Sequence, residues 1–250
     1  MRIALIADVH GNLPALETVM DDIAGRMVDK IICLGDIVGK GPSSKETIDI
    51  CRKECDLIIR GNWEYALYEN YTDLKQGKTD EVSELALWYI DSIGDQRMEY
   101  LGSLPHGTEF YLSGKLIRLF HTHPMGFTPY FQDSPIEQKL ELFEYGDFSK
   151  IKKTADIAVY AHIHNAYMQT IRDKLLLINI GSVGNPLDKF QASYVILEGG
   201  KGEDSGFSVQ FIKIPSDIEK AIVLAREAHV PDLDGYITEL RTAAYFRRNL

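Results

Sequence analysis

Residues 2–12, RIALIADVHGN, carry an apolar run directly into an aspartate and a histidine one residue apart, Asp8 and His10. So short an apolar, β-branched run reads as a buried strand. At an extended strand end, residues i and i+2 point to the same side, so Asp8 and His10 are presented together. The same junction recurs. Residues 30–34 (KIICL) lead into Gly35-Asp36, residues 56–60 (DLIIR) into Gly61-Asn62, residues 115–120 (KLIRLF) into His121, and residues 156–160 (DIAVY) towards His162-Ile163-His164. The carboxyl ends of strands in an α/β sheet converge on one edge, where residues distant in sequence share a pocket. Two metal ions fit such a pocket.

Outward from these strands the chain alternates. Segments 13–25 and 44–55 have helical spacing and separate the first three strands, which is the sequence form of a βαβαβ unit with parallel strands. Pro14 suits the first turn of the first helix. From 63 to 104 apolar residues recur at helical spacing (Leu85, Trp88, Tyr89, Ile90, Ile93), which predicts a helical insertion beside the site. Residues 108–112 and 115–120, joined by Ser113-Gly114, predict a hairpin, and 167–171 with 175–180 predict another. Residues 192–197 and 207–214 supply further strands across a glycine-rich loop at 199–202. The tail, 216–229 and 234–249, reads as two helices broken at Pro231, with Ser216 as a cap. It could pack on the sheet or on a partner subunit, so a homo-oligomer is compatible with the sequence.

At 250 residues, 45% hydrophobic and 26% charged, the chain supports a full core and reads as one α/β domain over residues 1–250. The N-terminal apolar run is far too short for a signal segment, and no later run approaches the ~18 residues of a membrane span. The expected location is the cytoplasm, with no membrane partner. Cys33, Cys51 and Cys55 fit a reducing compartment and read as packing thiols. A net charge of −10 and the lack of a basic stripe with interleaved aromatics speak against nucleic acid as a partner. They do not oppose a small phosphorylated substrate, because local metal charge can outweigh net charge.

Carboxylate, amide oxygen and imidazole suit divalent ions such as Mn²⁺, Fe²⁺ or Zn²⁺, whereas a soft-metal site would want thiolates. Singly, each motif has an ordinary reading. Asp8 can cap the next helix, His10 can be a surface residue, Gly35-Asp36 and Gly61-Asn62 are turn signals, and His121 can be a satisfied histidine. All of them in order, each after a predicted strand, point to a metal pocket, with Asp36 able to bridge two ions roughly 3.5–4 Å apart.

The chain resembles the calcineurin-like metallophosphoesterases, specifically their small prokaryotic phosphodiesterase-like branch. The motifs are ADVHGN (7–12), GDIVGKGP (35–42), GNWE (61–64), FHTHP (120–124), AHIH (161–164) and INIGSVGNPLD (178–188). The resemblance implies a four-layer αββα sandwich of two mixed β-sheets flanked by helices, with the helical insertion at 63–104 and a helical tail at 216–250 as additions. It implies that Asp8, His10 and His164 hold one metal, that Asn62, His121 and His162 hold the second, and that Asp36 bridges them. The expected cofactors are two divalent ions, Mn²⁺ first, with Fe, Zn or Ni as alternatives, and a metal-bridging hydroxide attacks phosphorus. Lys40 falls where some relatives carry an arginine that holds a phosphate oxygen; a solvated loop lysine is the ordinary alternative. Residues 181–186 (GSVGNP) match the family's glycine-rich turn.

The resemblance breaks at Trp63, where the family commonly has a histidine that protonates the leaving group. Indole cannot be a general acid at neutral pH, and losing positioned acid catalysis typically costs ~10²–10⁴-fold. Esters with good leaving groups would need no such acid. His123 is the candidate replacement donor, and Trp63 could be an aromatic shelf for substrate or a packing residue under the insertion. Ala161 and Ile163 stand in for the family's usual glycine and threonine. Tyr65, Tyr68, Tyr71, Trp88, Tyr89 and Tyr130 could bring aromatics to the pocket. The function expected is a metal-dependent phosphoesterase acting on a small phosphodiester or phosphomonoester. The competing expectation is a metal-binding scaffold that kept the fold and lost turnover.

Overall fold

The computed structural model describes residues 1–246. Its strands are β1 (Arg2–Ile6), β2 (Lys30–Cys33), β3 (Leu57–Ile58), β4 (Gly107–Leu112), β5 (Lys115–Phe120), β6 (Ile157–Tyr160), β7 (Ala166–Ile171), β8 (Leu175–Ile180), β9 (Ala192–Gly199) and β10 (Phe207–Ile214). Its helices are α1 (Leu13–Ala24), α2 (Ser44–Glu54), α3 (Asn62–Lys75), α4 (Glu84–Ile93), α5 (Asp95–Gly102), α6 (Ile136–Leu140), α7 (Ile218–Glu227) and α8 (Leu233–Thr242).

Two mixed five-stranded sheets result, ordered β10-β9-β1-β2-β3 and β4-β5-β6-β8-β7. β1, β2 and β3 run parallel, as do β5, β6 and β8, so both sheets send carboxyl ends to the same region. The two sheets face each other. Ile3, Leu5 and Ala7 of the first chain stretch pack with Leu119, Val159, Ile178 and Ile180 of the second sheet, while Ala4 and Ile6 on the other face meet α1 and α2. A strand covered on both faces has no polar side, which is why RIALIA is an unbroken apolar run.

Each predicted strand lies within a residue or two of its expected place, with β3 reduced to its centre. Asn12 turns β1 into α1 within six residues: its Oδ1 accepts the Ala15 N–H at 3.2 Å and Pro14 occupies the first turn. The insertion is helical, as α3 to α5, and its Leu67, Tyr89, Ile93 and Leu101 join the core beneath α1 and α2.

The outer face of the second sheet carries the fourth layer. One short helix, α6, a 3₁₀ turn at Glu141–Phe143 and irregular chain cover it. Arg118 fastens this covering. Its fully buried guanidinium donates to Glu109 Oε2 (3.0 Å) and to the carbonyls of Phe143 (2.7 Å), Ile151 (3.0 Å) and Lys153 (2.8 Å), so a buried charge holds loop chain that hydrophobic spacing could not announce.

The tail is also corrected in detail. Asp217, not Ser216, caps α7, through its Oδ1 and the Lys220 N–H at 2.9 Å. α8 ends at Thr242 with Ala243 in a left-handed conformation (φ 49°) instead of running to 249, and residues 247–249 of that expectation lie outside the described residues. α7 packs on α1, and α8 packs on α7. Among the described residues no helix is long and apolar enough to cross a membrane.

Candidate metal centre

The carboxyl ends of both sheets meet at one seam. The first sheet brings Asp8, His10 and Asp36, with Asn62 as the first residue of α3; the second brings His121, His162 and His164. Backbone pairing continues past the strands, with Asp8 N–H donating to Gly35 O at 3.0 Å and His10 N–H to Asp36 O at 3.0 Å. Asp8, His10, Asp36, His162 and His164 all adopt left-handed backbone, with φ from 49° to 69°. Such conformations are strained for residues with a Cβ and persist where the surroundings over-determine them. At these five residues the turn of the backbone presents the side chain to the seam.

Two groups of ligand atoms form there: Asp8, His10 and His164, and Asp36, His121 and His162. In the first, His10 Nε2 is 3.1 Å from His164 Nε2, and Asp8 Oδ1 is 3.9 Å from His10 Nε2 and 3.5 Å from His164 Nε2. In the second, Asn62 Oδ1 lies 3.0 Å from His121 Nε2 and 2.7 Å from His162 Nδ1. Asp36 Oδ2, itself of the second group, also approaches the first: it lies 3.3 Å from His121 Nε2 and 3.7 Å from His10 Nε2.

The donors fit divalent cations. His10 gives Nδ1–H to Val38 O (3.1 Å) and His164 gives Nδ1–H to Asn185 O (2.5 Å), which leaves both Nε2 lone pairs aimed at each other. Asp8 Oδ1 is buried without a hydrogen-bond partner. Two facing lone pairs and an orphaned carboxylate oxygen are costly without a cation and well used with one.

Charge follows the same geometry. Burial lowers His10 to about 3 and His162 to about 4, keeping both neutral and able to ligate. Burial would also depress His121, but Asp36 and Asp8 outweigh it and raise His121 to about 9. Burial raises Asp8, whereas for Asp36 the same burial is overcome by His121, His10 and His162, which hold it below the usual carboxylate range.

Several supports carried no ligand signature in sequence. Glu64 accepts four backbone N–H groups, from Asp36 (2.8 Å), Ile37 (2.7 Å), Val38 (3.3 Å) and Gly61 (2.7 Å). Its position as the third residue of α3 makes it the acidic half of a capping arrangement, which was the available signal. Trp63 N–H fixes Asp36 Oδ1 at 2.9 Å. Ser182 Oγ donates to Asp8 O at 2.7 Å, and Gly184 N–H donates to the same carbonyl at 2.9 Å. A Cβ on Gly184 would fall 1.7 Å from Val9 O, so only glycine permits that approach.

A cavity of about 740 Å³ opens above the centre, lined by His10, Asp36, Asn62, His162 and His164 at one end and by α8 at the other. Lys40 lines it, but its Nζ is paired with Glu239 Oε2 at 2.6 Å, so it is neither a solvated loop lysine nor unengaged. Trp63 also lines it, edge-on to His10 and Tyr89, with its ring laid over Gly39. Of the aromatics named from sequence, Tyr89 reaches the cavity beside Trp63; Phe131, Tyr236, Tyr245 and Phe246 are supplied by segments whose role was not legible. His123 is not brought to the cavity. It packs edge-on to Tyr130, its Nδ1 accepts Met125 N–H at 3.1 Å, and its Nε2 faces Glu141 at 3.8 Å. Cys33, Cys51 and Cys55 are free thiols outside both ligand groups.

The sequence profile of the calcineurin-like phosphoesterase superfamily domain matches residues 1–202. An uncharacterised protein of Methanocaldococcus jannaschii is 31% identical over 246 residues, covering 93% of this chain and 95% of its own length. A metallophosphoesterase from Sphaerobacter thermophilus has the same fold at TM-score 0.74 and 25% identity, over 98% of this chain and all (100%) of that one. A hypothetical protein from Pyrococcus horikoshii, at TM-score 0.72 and 17% identity over 98% of this chain and 99% of its own, shares the fold. With its two ligand groups at the seam of two mixed sheets, the chain belongs to the calcineurin-like phosphoesterase superfamily.

Proposed function

We propose that the chain hydrolyses a small phosphodiester or phosphomonoester with two divalent cations, Mn²⁺ first among them. Asp8, His10 and His164 would hold one ion, Asn62, His121 and His162 the other, and Asp36 would bridge. The observation that carries the reading is the position of Asp36 Oδ2, within 3.7 Å of His10 Nε2 and 3.3 Å of His121 Nε2, one from each group. Two cations held there would acidify a shared water and neutralise charge growing on the phosphoryl oxygens.

The chain's own residues prepare that chemistry. Glu64 and the Trp63 N–H hold the Asp36 loop rigid, so the bridging carboxylate needs little reorganisation. The cavity walls of Trp63, Leu85 and Tyr89 shed water around the phosphoryl group. With Trp63 in place of an acid and His123 turned to the 125–141 segment, the leaving group departs with little protonation. We therefore place substrates with good leaving groups first.

The test is hydrolysis of bis-p-nitrophenyl phosphate and p-nitrophenyl phosphate by metal-stripped protein with Mn²⁺ added back, beside Asp36→Asn. Metal-dependent turnover abolished by the substitution is expected. If no divalent metal restores turnover of these activated esters, the enzyme reading fails and a metal-binding scaffold replaces it.

A further inference from the structure

Glu239 belongs to α8, beyond the stretch that the superfamily profile matches, yet it is only 5% exposed and lines the cavity of the metal centre. Its Oε2 accepts Lys40 Nζ at 2.6 Å and Asn185 Nδ2 at 2.7 Å, and its Oε1 accepts Phe246 N–H at 3.1 Å. Lys40 and Asn185 lie on two separate loops. Both loops hold the same group of ligands.

In the loop at 182–185, Ser182 Oγ and Gly184 N–H donate to Asp8 O, Asn185 N–H donates to Ser182 Oγ at 2.8 Å, and Asn185 O receives His164 Nδ1–H. In the loop at 38–41, Val38 O receives His10 Nδ1–H and Gly41 N–H donates to His10 O at 2.8 Å. Asp8, His10 and His164 are thus each oriented by one of the two loops that Glu239 joins. The other group is held differently: the Asp36 side chain by Trp63 N–H, His121 by Leu34 O at 2.7 Å, and His162 by Asn62.

We propose that Glu239 is a positioning residue for the Asp8, His10 and His164 half of the centre, clamping from the C-terminal helix the two loops that aim those ligands. This rests on the two-metal reading above. Outer partners of metal ligands typically change affinity 10–100-fold when removed. Glu239 acts through Lys40 and Asn185, so its removal weakens one metal equivalent by about tenfold, at the low end of that range.

The experiment is calorimetric titration of metal-stripped, full-length protein with Mn²⁺, comparing wild type, Glu239→Ala, Glu239→Gln and Asn185→Leu, with His164→Ala marking the half-site. In Glu239→Ala one equivalent weakens, the one missing from His164→Ala, while the other keeps its affinity. Glu239→Gln restores most of the loss, since its amide oxygen still accepts from Lys40 and Asn185. Asn185→Leu cuts the link from the loop side while keeping the backbone carbonyl for His164, and it reproduces the selective loss even if Glu239→Ala does not fold. Equal weakening of both equivalents, or no change in a variant that melts cooperatively, overturns the proposal. A wild type that takes up fewer than two equivalents instead overturns the two-metal reading, and this proposal with it.

Discussion

His10 Nε2 and His164 Nε2 face each other at 3.1 Å, their rings tilted by 35°, with each opposite nitrogen already committed to a backbone carbonyl. Neither ring can flip its tautomer to hydrogen-bond the other without giving up that carbonyl. The pair is therefore a poor contact in metal-free protein and a prepared half-chelate for a cation. Mn²⁺ at a free concentration 100 times Kd should stabilise the fold by about 2.7 kcal/mol for each ion bound, a rise of about 5–10 °C in Tm per ion. A melting temperature indifferent to chelator and to added metal would contradict this.

Glu64 is the brace most exposed to test. Replacing it with alanine strips the acceptor from the four buried N–H groups of Asp36, Ile37, Val38 and Gly61 beside the candidate centre. The expected cost is about 3–5 kcal/mol, hence a Tm about 10 °C lower. Urea unfolding measures it, and a Glu64→Ala protein as stable as wild type would remove Glu64 from this role.

His121 links metal binding to pH. Burial works against its charge, but Asp36 and Asp8 raise it to about 9, so the metal-free protein carries this proton at neutral pH. A cation has to displace it. Apparent affinity should climb as pH rises from 6.5 towards 9, by up to about tenfold per unit, with proton release visible when titrations are repeated in buffers of different ionisation enthalpy. The stability sign is opposite. A folded-state pKa above the unfolded value stabilises metal-free protein fully below about 6.5, and that contribution is lost as pH passes through 9. Affinity independent of pH across this window would count against a protonated His121.

Trp63→His tests the missing acid. Restoring an imidazole at this position, beside His10 on the cavity wall, should accelerate a diester with an alkoxide leaving group by about 10²-fold. Bis-p-nitrophenyl phosphate, whose leaving group needs no proton, should change by only a few-fold. Parallel changes for both substrates would mean that Trp63 acts through packing alone.

The frame and the candidate ligand residues were legible in the sequence. Hydrophobic runs of strand length, helical spacing between them, and Asp-x-His or His-x-His at the strand ends are short-range patterns, and backbone geometry converts them directly into shared faces. Residues Asp8, His10, Asp36, Asn62, His121, His162 and His164 all stood out by type and place. The tertiary structure alone decided what surrounds them. Glu239 meets Lys40 across 199 residues, Arg118 gathers the carbonyls of a segment without periodicity, and His123 turns away from the cavity towards Tyr130 and Glu141. Such contacts join single polar groups far apart in the chain. They leave no repeating local pattern, because they are made where packing happens to bury a charge or a donor that then requires a partner.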